Sequence, residues 1–389
     1  MIKLPKSSIY NGDCLEVLKE IKEESYTGIV SDPPYGLSFM GKKWDYEVPS
    51  VEVFSELLRV TKKGGFILCF GGSRTFHRMA CNLEDAGWLL RDTIMWVYGS
   101  GFPKSLNISK GIDKKFGKEV SNDGYVPNYK NRSFGKGFGG GSKSTFHKSK
   151  TKEAKKWDGY GTGLKPSFEP IIVAMKPMDS SFINNAIEEN VSGLNLGECR
   201  VGDEDISIST WDDQASFFGE FKGKPYTNRV QKGRWPANLI HDGSEEVENL
   251  FPIYNKKSAS RFFYCAKPSI KEKEKGCEQL SKKRSQGGGG TNNKEAGRIY
   301  GSLKSVSKNH HPTVKPLDLM TYLVRLCKMP EGTKLLDPYM GSGTTVVASV
   351  LEGIDCDGIE RERDYIKIAQ KRIKQARKDY LIKNQRRTK

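Results

Sequence analysis

Two blocks of the chain alternate short apolar, β-branched runs with stretches whose apolar residues recur at helical spacing. In the first block Ser8-Ile9-Tyr10 reads as a short strand. A helix follows from Cys14 to Ile21, with Leu15, Leu18 and Ile21 on one side. Thr27-Gly28-Ile29-Val30 reads as a buried strand and Val51 to Val60 as a helix. Gly64 to Phe70 is again a buried strand. A helix from about Thr75 to Ala86 stops at Gly87, and strands follow at Leu89–Tyr98 and Glu169–Met175. The second block holds a strand ending at Asp337, a helix from Val346 to Leu351, and a strand from Cys356 to Ile359. A last helix begins near Arg361, with Tyr365, Ile368, Ala369 and Ile373 as its apolar stripe. Strand and helix in alternation predict an α/β, doubly wound, mostly parallel sheet of seven strands, five before Pro177 and two after Gly332.

Two segments break this pattern. Residues 99–167 join two strands that a hairpin could join, and a connection of that length is either functional or disordered. From Lys104 to Trp157 there are 14 Lys/Arg against 4 Asp/Glu, interleaved with glycines and with Tyr125, Tyr129, Phe134, Phe138 and Phe146. A solvated loop has such charge; basic, glycine-rich and aromatic together favour nucleic acid, with Lys148, Lys150, Lys152, Lys155 and Lys156 as phosphate contacts. Residues 178–310 carry enough apolar positions for a small subdomain, such as Leu194 to Leu196, Trp235 to Ile240 and Arg261 to Ala266. Their end is basic and includes Gly287 to Gly290, a loop expected to order on DNA.

Charge extends the picture. Lys plus Arg is 64 against 47 for Asp plus Glu, a net charge of +17 that argues for a polyanionic partner. No apolar run approaches a membrane span and the first residues do not open a signal peptide, so a cytoplasmic protein is expected, with no membrane partner. The eight cysteines are scattered without a Cys-x-x-Cys pair and read as reduced core thiols. Five histidines in unrelated places suggest no metal site.

Candidate chemistry gathers at two turns. Ser31-Asp32-Pro33-Pro34-Tyr35 follows a buried strand, and two prolines with no N–H to give end it in a stiff corner. The Asp32 carboxylate, the carbonyls of Asp32 and Pro33, and the Tyr35 ring are then held in fixed directions. A planar aromatic amine needs two acceptors for its N–H groups and a ring to stack on, which this set offers. The plain alternative is a proline-rich turn with a surface tyrosine. Asp337-Pro338-Tyr339-Met340-Gly341-Ser342-Gly343 lies between strand and helix, where glycines let a ligand approach the backbone. Glu360 ends the next strand, where an acid can hold ribose hydroxyls. There is no Gly-Lys-[Ser/Thr], and the three-glycine dinucleotide fingerprint is incomplete. An S-adenosylmethionine site fits better than a diphosphate cradle.

Together these motifs resemble those of the S-adenosylmethionine-dependent DNA amino-methyltransferases, which methylate N6 of adenine or N4 of cytosine. Asp32-Pro33-Pro34-Tyr35 is similar to their catalytic motif. Asp337 to Gly343 is similar to their cofactor loop, with Tyr339 at its aromatic position. Asn309-His310-His311-Pro312-Thr313-Val314-Lys315-Pro316 resembles the motif before the cofactor strand. Catalytic motif first and cofactor loop last is similar to the family's beta arrangement. The resemblance covers roughly residues 8–177 and 310–375. It implies a methyltransferase sheet with permuted motif order, formed by residues 1–177 and 311–389, with 99–167 as a basic insertion and 178–310 as a target-recognition region. It also implies that Asp337, Pro338, Tyr339, Gly341, Ser342 and Gly343 line the cofactor, that Glu360 holds its ribose, and that Thr313 and Lys315 border its methionine end. Asp13 would contact the adenine, although its place before a helix equally suits an N-cap.

In such a sheet the cofactor loop tops the central strand, with Asp357–Ile359 on one side and Ile29–Ser31 on the other. Asp32 and Gly341, some 300 residues apart, then face one cleft at the carboxyl ends of the strands. The expected enzyme is a DNA adenine-N6 methyltransferase acting on a flipped-out base of double-stranded DNA. Cytosine-N4 methylation is the rival within the family, disfavoured because Asp and not Ser stands first in the motif. A non-catalytic DNA-binding protein on the same fold is the rival from another class. A homodimer and a restriction endonuclease partner stay open.

Overall fold

Alternate residues of the central strands go to opposite faces, and both faces are covered. In the computed structural model, residues 4–37, 45–99, 101, 105–118, 147–210, 227–254, 256–266, 269–284 and 306–387 are described. Among the described residues nine strands make one sheet: β1 (Ile9–Asn11), β2 (Tyr26–Ser31), β3 (Thr61–Phe70), β4 (Leu89–Val97), β5 (Phe168–Met175), β6 (Leu239–His241), β7 (Tyr264–Cys265), β8 (Lys334–Asp337) and β9 (Asp355–Glu360). Their spatial order is β1-β9-β8-β2-β3-β5-β4-β6-β7. Neighbours run parallel except where β5 pairs antiparallel with β3 and β4.

Among the helices of the described residues, α1 (Cys14–Glu20), α2 (Val51–Val60), α3 (Phe76–Asp85), α4 (Leu317–Leu326), α5 (Thr344–Leu351) and α6 (Arg363–Arg387) cover the sheet. On one face Val30, Leu68, Val173 and Leu335 pack with Leu323 of α4, Val346 of α5 and Ile373 of α6. On the other Ile29, Ile67, Ile172 and Leu336 pack with Leu18 of α1, Phe54 and Leu57 of α2, and Met79 of α3. Consecutive strand residues thus enter different cores, as a pleated strand requires. The buried set of α2, Val53, Phe54, Leu57 and Val60, is the helical stripe visible in sequence. Gly87 takes φ +97° just past α3, a conformation few side-chain-bearing residues adopt.

The seven strands expected are present, in the expected neighbourhood: β8 lies between β9 and β2, and β1 lies beyond β9. The expectation that residues 178–310 lie wholly outside the sheet is corrected. β6 and β7 come from that segment and extend the sheet beyond β4. They are three and two residues long, too short for any periodicity to show. The same segment also packs against α4 and the turn after β8: Glu272 Oε1 accepts from the Leu317 amide at 2.9 Å, and Asn309 Nδ2 donates to Ser342 Oγ at 3.3 Å. A separate antiparallel pair, Val201–Thr210 with Thr227–Arg234, does stand apart from the sheet.

The insertion has a packed part. Helices at Ile108–Lys115 and Lys152–Lys156 are tied through Asp113, which accepts from the amides of Lys150 and Thr151, the Thr151 hydroxyl and His147 Nε2 at 2.7–3.0 Å. Burial works to raise the Asp113 pKa, but these hydrogen bonds outweigh it and hold the carboxyl well below the usual range. Tyr125, Tyr129, Phe134, Phe138, Phe146 and Gly287 to Gly290 lie outside the described residues. Among the described residues no helix is long and apolar enough to cross a membrane.

Candidate active site

β2 and β8 are adjacent and parallel, so the turns at their carboxyl ends emerge side by side. Ser31 Oγ donates to Asp337 Oδ1 at 2.7 Å, joining the two motifs directly. Past Ser31 the corner is pinned at several points. The amides of Tyr35 and Gly36 donate to the buried Asp45 carboxylate at 2.7 and 3.1 Å, and Thr75 Oγ1 donates to the Tyr35 carbonyl at 2.6 Å. Pro33 is buried and Pro34 half-buried. The Tyr35 side chain turns inward, its Oη 2.8 Å from Asp32 Oδ1 and 2.8 Å from Glu169 Oε2.

Lys315 arrives at the same place from the segment before α4. Its Nζ is 2.6 Å from Asp32 Oδ2, 3.3 Å from Glu169 Oε2 and 3.1 Å from Tyr35 Oη, and it lies over the rings of Tyr35 and Phe70. Burial raises the Asp32 pKa, Lys315 opposes this, and the charge of Glu169 adds to it. Burial works to lower the Lys315 pKa, but Asp32 and Glu169 hold it above the ordinary lysine value. The Lys315 ammonium therefore belongs with the acids of the corner, whereas Thr313, two residues earlier, is exposed and its amide meets His311 Nδ1 at 3.4 Å.

The second turn is built for a close approach. Gly341 and Gly343 have φ of +54° and +80°. A Cβ on Gly341 would lie 2.7 Å from His311 Nε2, and one on Gly343 would lie 2.9 Å from the Ala369 Cβ. Only glycine serves at both. Asp337 is buried and also accepts from the Tyr339 amide at 3.2 Å, while Pro338 is buried beside it. Arg372 of α6 donates through Nη1 to the Ser342 carbonyl at 2.7 Å, to Ser342 Oγ at 3.0 Å and to Thr344 Oγ1 at 2.9 Å. Burial lowers its pKa to about 10.

Glu360 ends β9 beside this turn. Its carboxylate accepts from the Glu362 amide at 2.7 Å and from the Gly341 and Arg361 amides, and burial raises its pKa. A carboxylate has about four lone-pair sites, so acceptor capacity remains. Asp13 caps α1, accepting from the Leu15 amide at 3.0 Å, and Cys14 hydrogen-bonds the Tyr339 side chain. The cap reading of Asp13 is thus realised, and the bond from Cys14 brings the start of α1 up to the loop. Asp13, Asp337, Tyr339, Gly341 and Glu360 come together at the carboxyl ends of β1, β8 and β9, next to Asp32.

The DNA methylase family, whose model covers N6 and N4 methylases, matches residues 26–371. That span holds both turns and every strand but β1. The chain belongs to the DNA methylase family. Curated relatives include the type II methyltransferase M2.DpnII of Streptococcus pneumoniae, 45% identical over 76 residues, which are 19% of this chain and 28% of that protein. The matched stretch is thus less than a third of that relative's length. The type II methyltransferase M.HindIII of Haemophilus influenzae is 20% identical over 94% of both chains. Among solved structures, the cytosine-N4-specific PvuII DNA methyltransferase aligns with a TM-score of 0.45 at 14% identity, over 97% of this chain and 95% of that one.

Within this methylase the five lysines of the insertion are remote in sequence from both turns. Lys148, Lys150, Lys152, Lys155 and Lys156 are exposed, four of them on or beside the short helix whose cap is Thr151. Two participants escaped the sequence reading. Glu169 is the second residue of β5 and carries no motif; only its place before an apolar run hinted that it sits at a strand end. Arg372 hides in a helix rich in surface cations, and only its alignment with Ala369, Ile373 and Ala376 marks its face as buried. His241, Glu248 and Cys265, unrelated in sequence, also bring ligand-type atoms within 4.8 Å of one another. The Gly243 amide donates to His241 Nδ1 at 3.2 Å, so this imidazole closes the turn after β6.

Proposed function

We propose that this chain is a DNA methyltransferase that moves the methyl group of S-adenosylmethionine to N6 of an adenine flipped out of double-stranded DNA. The observation that carries the reading is the bond from Ser31 to Asp337, which brings the amine-binding corner against a glycine turn with an acid beside it. Asp337, Pro338, Tyr339, Gly341, Ser342 and Gly343 would line the methyl donor, with Glu360 on its ribose, Asp13 near its adenine, and Thr313 towards its methionine end. Glu360, with acceptor capacity left beside the glycine turn, fits such a ligand.

The target base must leave the duplex, because its amino group cannot otherwise reach a donor at the end of a sheet. Asp32 and the Pro33 carbonyl would accept the two amino hydrogens, drawing the nitrogen lone pair out of the ring and aiming it at the methyl carbon. Pro34 stiffens the corner, and Tyr35 provides a ring beside the base. Positioning and exclusion of water supply most of the rate. Asp at the first motif position supports adenine over cytosine N4. The net charge of +17 and the lysines of the insertion support DNA as partner. We infer that 178–310, with its pair Val201–Thr210 and Thr227–Arg234, reads the target sequence. The type II relatives support a place in restriction–modification, with an endonuclease of the same specificity as partner.

Incubating the purified chain with labelled S-adenosylmethionine and DNA, then mapping modified bases, tests this. N6-methyladenine at one recurring sequence is expected. N4-methylcytosine would overturn the base assignment, and no label in any DNA would leave a DNA-binding protein on a methylase fold.

A further inference from the structure

Asp32, Tyr35, Glu169 and Lys315 form a cluster that holds more hydrogen bonds than its ordinary protons can fill. Tyr35 Oη lies 2.8 Å from Asp32 Oδ1 and 2.8 Å from Glu169 Oε2. A phenol has one proton and can donate to only one of them. Lys315 cannot supply the other, because its Nζ faces Asp32 Oδ2, Glu169 Oε2 and Tyr35 Oη at 2.6, 3.3 and 3.1 Å. The second short contact closes only when one carboxyl is protonated and donates back to the phenol oxygen. Three oxygens thus stand in line, and one added proton can rest at either end as two hydrogen bonds reverse.

We propose that Glu169 is the far end of a proton relay, receiving through Tyr35 the proton that Asp32 takes from the methylated amine. The proposal rests on the reading of this site as an amine methyltransferase. As the nitrogen–methyl bond forms, the methyl–sulfur bond breaks and its electron pair stays on sulfur, leaving a thioether and a positively charged secondary amine. That amine gives one N–H proton to Asp32. The Asp32 proton passes to Tyr35 Oη while the phenol's own proton passes to Glu169. The products are the neutral methylamine, the thioether and one proton on Glu169. The Glu169 side chain is 21% exposed and can return this proton to water.

The surroundings suit this. Burial and two neighbouring carboxylates hold the Tyr35 pKa well above its ordinary value, so the phenol hands a proton on as it receives one. Tyr98, past the end of β4, also hydrogen-bonds Glu169. Behind Asp32 lie Asp337 and the Cys69 thiol, whose pKa burial pushes up first of all. Lys315 is the one cation in contact with both carboxyls among the described residues. Glu169 acts through Tyr35 and does not touch the base, so it is a positioning residue with a proton-accepting end.

The test compares wild type with Glu169→Gln, which keeps size and hydrogen bonding but loses the charge. Single-turnover methyl transfer to DNA would be followed from about pH 5 to 9, with donor affinity measured by calorimetry as a check on folding. The relay predicts unchanged donor affinity, a rate lowered about tenfold to a hundredfold, and an acid limb moved to lower pH. The limb moves because the Glu169 charge helps to raise the Asp32 pKa, and without it Asp32 ionises more readily. Glu169→Asp should return the limb towards its wild-type place. Tyr35→Phe, which cuts the line, should slow transfer even though Glu169 is intact. A slowed Glu169→Gln enzyme whose acid limb stays in place would overturn the relay, as would a full wild-type rate. Both results are read against an active wild type. A wild type that methylates no DNA amine would instead overturn the proposed function.

Discussion

Ser31 and Asp337 lie 306 positions apart and are joined by a hydrogen bond of 2.7 Å between neighbouring parallel strands. Burying Asp337 to make this bond has a cost. Burial pushes its pKa from 3.8 to about 6, against the hydrogen bonds from Thr345, Ser31 and the Tyr339 amide. Between these values the folded chain binds more protons than the unfolded one. This contribution to stability is therefore full below about pH 4 and lost as pH rises through about 6. Asp337→Asn, which carries no charge, should gain on the wild type across that window by about 2–3 kcal/mol. Urea unfolding of both proteins at several pH values measures the gain. A stability difference that stays flat with pH would remove Asp337 as its source.

The catalytic corner can be separated from the donor site. Asp32→Ala should abolish methylation, because the amine loses its charged acceptor, while S-adenosylmethionine still binds. Donor affinity should change little, since the residues proposed to hold the donor follow β1, end or follow β8, end β9 or precede α4, and none belongs to the corner after β2. A variant that still turns over at the wild-type rate would take Asp32 out of the mechanism.

Glu360 should behave the opposite way. If it holds both ribose hydroxyls, Glu360→Ala loses charge-assisted hydrogen bonds of roughly 1.5–3 kcal/mol each. Titration calorimetry should then register at least about a tenfold fall in donor affinity. An unchanged dissociation constant would leave it as the acceptor for the Gly341, Arg361 and Glu362 amides alone.

Neutralising Lys148, Lys150, Lys152, Lys155 and Lys156 together should weaken binding to all duplexes alike and leave donor binding untouched. Every phosphate that no longer meets a lysine should flatten the plot of log affinity against log salt by about 0.9. Binding measured from low to high salt, on DNA with and without the target site, reports this directly. A five-lysine variant with the wild-type slope would show that the insertion does not engage the phosphates.

The chain itself determined the sheet and the two turns. Seven strands and the helices between them were legible because each central strand must bury both faces and helices such as α2 only one, which writes two different periods into the residues. Asp32 to Tyr35 and Asp337 to Gly343 were legible for a related reason. Prolines that stop a strand and glycines at positive φ answer to backbone demands that few other residues meet. What the tertiary structure alone decided is where distant side chains meet. Lys315 could be placed by its motif but not aimed, and its ammonium proved to lie between Asp32 and Glu169. Glu169 and Arg372 left only their positions as a mark, because a charged residue at a strand end or on a helix looks the same whether it faces water or a buried partner. β6 and β7 were hidden too, since two or three residues pair with a sheet edge through backbone groups that every amino acid carries. Local patterns record what a segment does with its own backbone and water; a contact across 283 residues, such as that of Lys315 with Asp32, is recorded only in the fold.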